Sequence, residues 1–248
     1  VSSIGKTKAT ATYHEWQTDT LAAAVKTGLL EGADAGAASA TPTVRVGNRT
    51  QIQGKTVHVS GTLDAVDKAG RKSETAYQLA KAGQELKRDM ENTILGNVAQ
   101  SAGSSSAARL LGSIQTWLLT NYVTEDTGST GAAPVGGNGT ATRTSAGSGN
   151  YGAFGEDKLK ECVKSCFENG GNPTLLVVPP TQKQAVSAFT GIAAQRYQAP
   201  SDKQTTIVGA ADVYMSDFGT LSVVPDRFMT ADGGTGSGEQ ALLLDPTM

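Results

Sequence analysis

Hydrophobic and polar residues alternate along two early stretches of the chain. Residues 10–20 are rich in threonine and aromatic side chains, which favours a strand. Residues 43–62 carry two pairs of valines that alternate with polar neighbours at period two, Val44 with Val46 and Val57 with Val59. Between them, residues 28–42 are mostly glycine, alanine and serine, a composition typical of a flexible tip. We therefore predict a long two-stranded ribbon, which buries too little apolar surface to be stable alone and needs a second surface.

The pattern then changes to the helical period. Apolar residues follow one another at spacings of seven, four, four and four: Leu79, Leu86, Met90, Ile94 and Val98. This predicts a helix over residues 71–102 that begins at Ser73 and ends before Gly103. At ~1.5 Å per residue it would be ~45 Å long, longer than a small domain is wide. On its exposed face the spacing predicts an ion pair between Glu85 and Arg88.

The middle of the chain loses its hydrophobic residues. Residues 107–122 carry a shorter helical pattern, with Leu111, Ile114 and Leu118 on one side. Residues 127–149 then have low complexity and a single charge, so burial cannot offset their chain entropy. We predict a surface insertion or a mobile loop over this stretch.

An α/β pattern follows. Residues 156–169 alternate as an amphipathic helix, and residues 174–178 form a short apolar run of the kind that becomes a buried strand. A second helix is predicted over residues 181–189. Residues 207–228 favour a hairpin, and residues 241–244 favour a last strand.

The composition of the chain argues against several classes of function. The 248 residues carry 21 basic and 23 acidic side chains, a net charge of −2, which argues against a general polyanion binder. No apolar run is long enough to span a membrane. Two cysteines and two histidines exclude a disulfide framework and a zinc site built from those residues alone. We predict no catalytic residue, no metal and no cofactor.

Two short motifs need a structural context that the chain does not offer. Residues 147–152 spell GxGxxG, but they end a low-complexity loop instead of joining a strand to a helix. Cys162 and Cys166 stand four apart on a predicted helix, where two half-buried small side chains are expected.

The chain opens at Val1 and stops at Met248, just after an apolar run. We expect an internal stretch of a longer polypeptide; the alternative is a native N-terminus after removal of Met.

Basic residues follow the return half of the ribbon and the start of the long helix: Arg45, Arg49, Lys55, Lys68, Arg71 and Lys72. Two interpretations stay open for them. They could form a solvated face, or they could meet acidic residues of a neighbouring subunit.

Several stretches carry a resemblance to a known family. They are His14-Glu15-Trp16-Gln17-Thr18-Asp19, Glu31-Gly32-Ala33-Asp34, Gly47-Asn48-Arg49-Thr50-Gln51-Ile52, Val59-Ser60-Gly61-Thr62, Ala69-Gly70-Arg71-Lys72-Ser73-Glu74, Lys87-Arg88-Asp89-Met90-Glu91 and Ser216-Asp217-Phe218-Gly219 with Val223-Val224-Pro225. With the order of elements, they resemble the major capsid proteins of tailed bacteriophages, which have the Hong Kong ninety-seven-type fold. These stretches are most similar in sequence to one branch of that family, which was formerly described only as a phage domain of unknown function.

The resemblance implies an α+β fold. Residues 1–9 would form an N-terminal arm and residues 10–70 an extended loop. Residues 71–125 would form a peripheral domain with a spine helix, and residues 126–206 an axial domain with its loop at 127–149. Residues 207–248 would supply a hairpin and terminal strands that return to the peripheral domain.

The implied function is a capsid subunit that assembles with itself, in hexamers and pentamers, into an icosahedral shell around double-stranded DNA without reading its sequence. Scaffolding, portal and decoration proteins are candidate partners, and assembly would take place in the bacterial cytoplasm. Alternatives are a tail or decoration protein and, more distantly, a hydrolase. The extended loop would cross a neighbouring subunit. The expected seam has Arg45, Arg49 and Lys55 on one side and five acidic residues on the other: Asp64, Asp67, Glu74, Glu85 and Glu91.

Overall fold

The computed structural model describes residues 5–34, 36, 40–66, 69–123, 137–142, 153–189, 212–229 and 240–247. Its first elements are two antiparallel strands, β1 (Tyr13–Thr18) and β2 (Val44–Arg49), which form a sheet of their own. Tyr13 lies opposite Arg49, and Thr18 lies opposite Val44. These strands confirm the predicted ribbon over six residue pairs.

The second ribbon strand is shorter than the alternating valines predict. It ends at Arg49, and residues 50–60 contain no regular secondary structure. The polar side chains of this stretch explain the difference, because Gln51 and Gln53 bond to other parts of the chain instead of flanking a partner strand. An extended segment held by its side chains has the same period of two as a paired strand.

Two helices follow the ribbon, α1 (Gly61–Ala65) and α2 (Glu74–Leu95). The Ser73 hydroxyl accepts a hydrogen bond from the Ala76 amide, which confirms the predicted start of α2. The predicted end at Gly103 is wrong, since Gly96 already ends the helix in an extended conformation. At 22 residues, α2 is therefore ~33 Å long.

The second predicted helix, over residues 107–122, is also wrong. Only Ile114–Trp117 form a short 3-10 helix, and Leu110 pairs with Ser101 in an antiparallel bridge. The amides of Leu111 and Gly112 are taken by side chains from the ribbon, which prevents them from bonding within a helix. Tertiary hydrogen bonds thus override the local periodicity.

The α/β part agrees with the sequence pattern. It contains α3 (Glu156–Glu168), β3 (Leu175–Val178), α4 (Pro180–Ser187), β4 (Val213–Ser216), β5 (Gly219–Pro225) and β6 (Leu242–Leu244). Four strands form one sheet in the order β4-β5-β3-β6, with β3 and β5 parallel and the other two pairs antiparallel. The sheet therefore joins strands from the predicted 126–206 and 207–248 units.

Both faces of the central strand β3 are buried. One face packs against α3 and α4 in a cluster of nine buried residues: Leu159, Val163, Leu176, Val178, Val186, Phe189, Tyr214, Leu221 and Val223. The other face packs against the end of α2, through Leu95, and against Met229 and Leu242. Leu95 thus fixes the C-terminal end of the long helix to the sheet. Of the predicted loop at 127–149, only residues 137–142 lie within the described part, and residues 207–211 of the predicted hairpin lie outside it.

Candidate subunit interface

The base of the ribbon is fixed to the segment that follows α2. Asn48 donates from Nδ2 to the Gly112 carbonyl at 2.9 Å and accepts from the Gly112 amide at 2.9 Å. Arg109 donates from Nε to the Thr50 carbonyl. These bonds join residues about 60 positions apart along the chain, so part of the ribbon does find its second surface within its own chain.

Aromatic stacking strengthens this base. The Trp16 and Trp117 rings lie 5.0 Å apart between centroids, and the His14 ring lies 5.9 Å from Trp16. Gly139 lies against Trp117, where a Cβ atom would come 2.7 Å from the indole ring. A glycine with φ of +77° is thus required for the ring to settle there.

Among the described residues, nothing comparable covers the far end of the ribbon. Every residue from 19 to 34, beyond the end of β1, is exposed. We call residues 20–34 the tip segment. Its four large apolar side chains, each at least four-fifths exposed, are Leu21, Val25, Leu29 and Leu30. An apolar surface of this kind marks an interaction site more often than a solvated end.

The long helix is similarly bare. Leu95 is its single buried residue, while Leu79 is 67% exposed and Met90 is 40% exposed. Gly83 lies near them in the middle of the helix, and a Cβ atom added there would meet nothing within 4 Å. Glycine within a helix costs roughly 0.5–1 kcal/mol relative to alanine, and no contact within the described chain accounts for it here. The face of Leu79, Gly83 and Met90 is open to another molecule.

The return arm, residues 50–58, lies along this helix. Gln53 donates from Nε2 to the Thr93 hydroxyl at 2.6 Å. Lys55 Nζ lies 2.6 Å from Asp89 Oδ2, and this partner raises the pKa of Lys55 above its usual range. The predicted seam residue Lys55 therefore has an acidic partner in its own chain.

The other predicted basic residues also contact the ribbon itself. Arg45 Nη1 lies 4.0 Å from Glu15 Oε1, and the Arg45 side chain stays 69% exposed. The Arg49 guanidinium lies 4.9 Å from the centroid of the Tyr13 ring, a cation–π distance. Of the two arginines, Arg45 has the looser contact.

The predicted acidic residues mostly organise the start of α2. Asp64 accepts from the Glu74 amide and from the Thr75 hydroxyl, both at 2.9 Å, and so caps the helix. Glu74 pairs with Arg71 at 3.1 Å. Glu85 pairs with Lys81 at 3.8 Å, so the predicted pair with Arg88 is wrong. Asp67 lies outside the described residues, and Glu91 is exposed in part near the end of the helix.

An open cleft of about 350 Å³ lies where the return arm meets α2. It is lined by Lys55, Glu85, Arg88, Asp89, Asn92 and Phe228. The Arg88 guanidinium lies 5.6 Å from the Phe228 ring centroid. The sequence does not reveal this cleft, because Phe228 follows β5 and only the fold brings it to α2.

The two cysteines lie on α3, as predicted, and both are free. Burial raises the pKa of the Cys162 thiol to about 12, with a smaller contribution from Cys166. A thiol of this kind stays protonated near neutral pH and is a poor nucleophile.

Among the described residues, no group of three His, Cys, Asp or Glu side chains could hold a metal ion. Within the same part of the chain, no helix has the length and apolar character needed to cross a bilayer.

Sequence reasoning missed two features of the candidate interface. Three of the tip side chains, Leu21, Val25 and Leu29, repeat at spacings of four, which periodicity could have found. Asp89 gave no signal, since one acidic residue on a charged helix resembles its neighbours.

The described part of the chain thus has a ribbon with an exposed apolar tip and a long helix with an exposed face, and no metal site. The SU10 major capsid protein family matches residues 1–248, and the chain therefore belongs to that family. Its members are structural proteins of the virion capsid. The α+β architecture agrees with this assignment.

One curated relative is the "Major capsid protein" of Escherichia phage Phieco32, which is 41% identical over 101 residues. The match covers 40% of this chain and spans 29% of the length of the relative.

Proposed function

We propose that this chain forms the shell of a phage head by assembling with copies of itself around double-stranded DNA. The single observation that carries the proposal is the family match over the whole chain. The proposal includes a Hong Kong ninety-seven-type arrangement, with hexamers and pentamers as building units and assembly in the bacterial cytoplasm. Scaffolding, portal and decoration proteins are its proposed partners. A net charge of −2 fits a wall that encloses DNA without strong electrostatic binding.

The ribbon is the proposed connector between subunits. Its base is held by hydrogen bonds to residues 109–112, so its direction is set by the subunit that carries it. Its tip segment presents Leu21, Val25 and Leu29 to solvent. In the shell these side chains would pack on the bare face of α2 of a neighbouring copy, around Leu79 and Gly83. Burying each large aliphatic side chain would contribute about 1.5–3 kcal/mol.

Charge pairs would fix the register of this contact. Arg45 leads the proposed seam, because its side chain is 69% exposed and its Glu15 contact is at the limit of an ion pair. Further members, most of which already have contacts in their own chain, are Arg49, Lys55, Asp64, Asp67, Glu74, Glu85 and Glu91. An exposed pair is worth about 0–1 kcal/mol, but it repeats at every subunit contact and excludes wrong registers.

Expression of the full-length protein followed by negative-stain electron microscopy tests the function. Closed shells are expected, whereas tubes or isolated monomers alone would overturn the proposal. Arg45→Glu and Arg49→Glu, singly and together, test the seam, with circular dichroism as the check that the subunit is folded. Lys164→Glu is the control for Arg45→Glu, since Lys164 is a cation of similar exposure on α3, 63% against 69% for Arg45. Normal shell yield from the folded double variant would contradict the seam.

A further inference from the structure

The cleft between the return arm and α2 contains one cation, Arg88, that has no carboxylate partner among the described residues. Lys55 is paired with Asp89 at 2.6 Å, and Glu85 is paired with Lys81 at 3.8 Å. Both acidic residues of the cleft therefore already have a cationic partner. Among the described residues Arg88 takes part in no ion pair. The lining itself is neutral, with two cations and two carboxylates. Because Lys81 pairs with Glu85 from outside the cleft, Arg88 is the lining cation that has no carboxylate partner among the described residues.

The ring of Phe228 lies beside that guanidinium, at 5.6 Å from its centroid. A guanidinium that lies against an aromatic ring keeps its edge, with its fork of N–H donors, available for a planar acceptor. The fork matches a carboxylate, which accepts two parallel hydrogen bonds. Asn92 also lines the cleft and adds an amide donor. The Arg88 guanidinium and the Asn92 amide together can therefore bind an acidic side chain, beside the two carboxylates that already have cationic partners.

The tip segment carries suitable acidic side chains. The Ala33 amide donates to the Leu30 carbonyl at 3.1 Å, and Gly32 has a φ of +79°, so the chain turns tightly between them. Glu31 lies within this turn and Asp34 follows it, and both are exposed. No ion pair of the described residues includes either of them. The ribbon thus presents two carboxylates at its tip.

We propose that the Arg88 cleft of one copy receives the acidic turn of a second copy, with Glu31 or Asp34 bound to the guanidinium. This inference rests on the proposed self-assembly and names the residues of one contact within it. The charges are placed the other way round from the Arg45 seam. Here the ribbon carries the carboxylates and the helix carries the cation. The neighbouring Leu30, 85% exposed, is placed to cover the Phe228 ring and exclude water from the pair. Such a pair sets register and partner choice.

A charge exchange tests the proposal in the full-length protein. Arg88→Glu, and separately the double change Glu31→Arg with Asp34→Arg, are each expected to raise the subunit concentration needed for shell assembly about tenfold or more. The three changes together are expected to restore assembly, because the attraction returns with its signs exchanged. Arg88→Gln serves as a milder variant should Arg88→Glu fail to fold. Light scattering measures assembly, and circular dichroism measures folding.

Lys87→Glu is the matched control, since it makes the same charge change on the same helix outside the cleft. It is expected to assemble with smaller loss than Arg88→Glu. Equal losses for the two variants, no loss from Arg88→Glu and Arg88→Gln, or no rescue by the combined changes would each overturn the proposal. These outcomes are distinct from failure of the proposed function, in which the unmodified protein itself forms no shells.

Discussion

Lys55 Nζ and Asp89 Oδ2 lie 2.6 Å apart, and they join the return arm to the long helix within one chain. The pair is supported one turn away by the hydrogen bond from Gln53 to Thr93. Because β2 leads directly into this arm, the two contacts help to set the direction in which the ribbon leaves the subunit. The ion pair between Lys55 and Asp89 thus helps to orient the ribbon, through which we propose that subunits contact one another.

Loss of this pair should loosen the arm. We expect Lys55→Met and Asp89→Asn each to increase amide hydrogen exchange over residues 50–58. The exchanged pair, Lys55→Asp with Asp89→Lys, should recover much of the protection. Since the partner raises the pKa of Lys55, the contribution of the pair is fully present below the ordinary lysine pKa and is lost only as pH rises through the raised value. Unchanged exchange in both single variants would show that Gln53 holds the arm without the ion pair.

Gly47 tests the packing of the ribbon base. A Cβ atom there would lie 2.7 Å from the Tyr13 ring and 2.8 Å from the His14 carbonyl oxygen. Gly47→Ala should therefore destabilise the β1–β2 pair by about 1–3 kcal/mol and change the fluorescence of Trp16. Gly54→Ala is the control, because nothing lies within 4 Å of that position. Equal effects of the two changes would contradict the close contact between the strands at Gly47.

Two substitutions of Gly83 distinguish an effect on the stability of the subunit from an effect on its assembly. Its surroundings are open, so Gly83→Ala should raise the free energy of unfolding of the isolated subunit by about 0.5–1 kcal/mol. A large side chain at the same position, as in Gly83→Gln, should leave the subunit folded and lower shell yield, since it would hold a neighbour away. Denaturant unfolding and microscopy measure the two effects. Full shell yield from Gly83→Gln would show that this face stays open in the shell.

The buried thiol predicts a loss of stability at high pH. Cys162 has a pKa of about 12 in the folded chain, raised by burial from about 9. Its contribution is fully present below pH 9 and is lost as pH rises from there toward 12, because the unfolded thiol ionises first. Unfolding free energies measured at pH 8, 10 and 11 should fall less steeply for Cys162→Ala than for the unmodified chain. Parallel curves would contradict the assignment.

The centre of the sheet should respond strongly to truncation. Leu176 is 1% exposed and lies on the face that α3 and α4 cover. Leu176→Ala is expected to cost about 2–5 kcal/mol, whereas Leu79→Ala, at a 67% exposed position, should cost the isolated subunit little. Thermal unfolding compares the two. Similar losses would mean that α2 is covered in the free subunit.

The sequence alone determined the elements whose hydrophobic pattern is satisfied locally. The α3–β3–α4 succession, the hairpin and the last strand all follow from short apolar runs and their breakers, because burial on a sheet demands that pattern wherever the strands pair. The start of α2 was equally readable, since Ser73 caps the helix through its own neighbours. The family resemblance also rested on short stretches of local sequence.

Only the tertiary structure decided the end of α2, the course of the return arm and the content of the cleft. Gly112 accepts from and donates to Asn48, 64 residues away, and these bonds replace the helix that Leu111, Ile114 and Leu118 would otherwise favour. Phe228 reaches Arg88 only because β5 pairs with β3 and α2 ends on the same sheet. Contacts between residues so distant in sequence carry no local period, and the fold alone brings their side chains together.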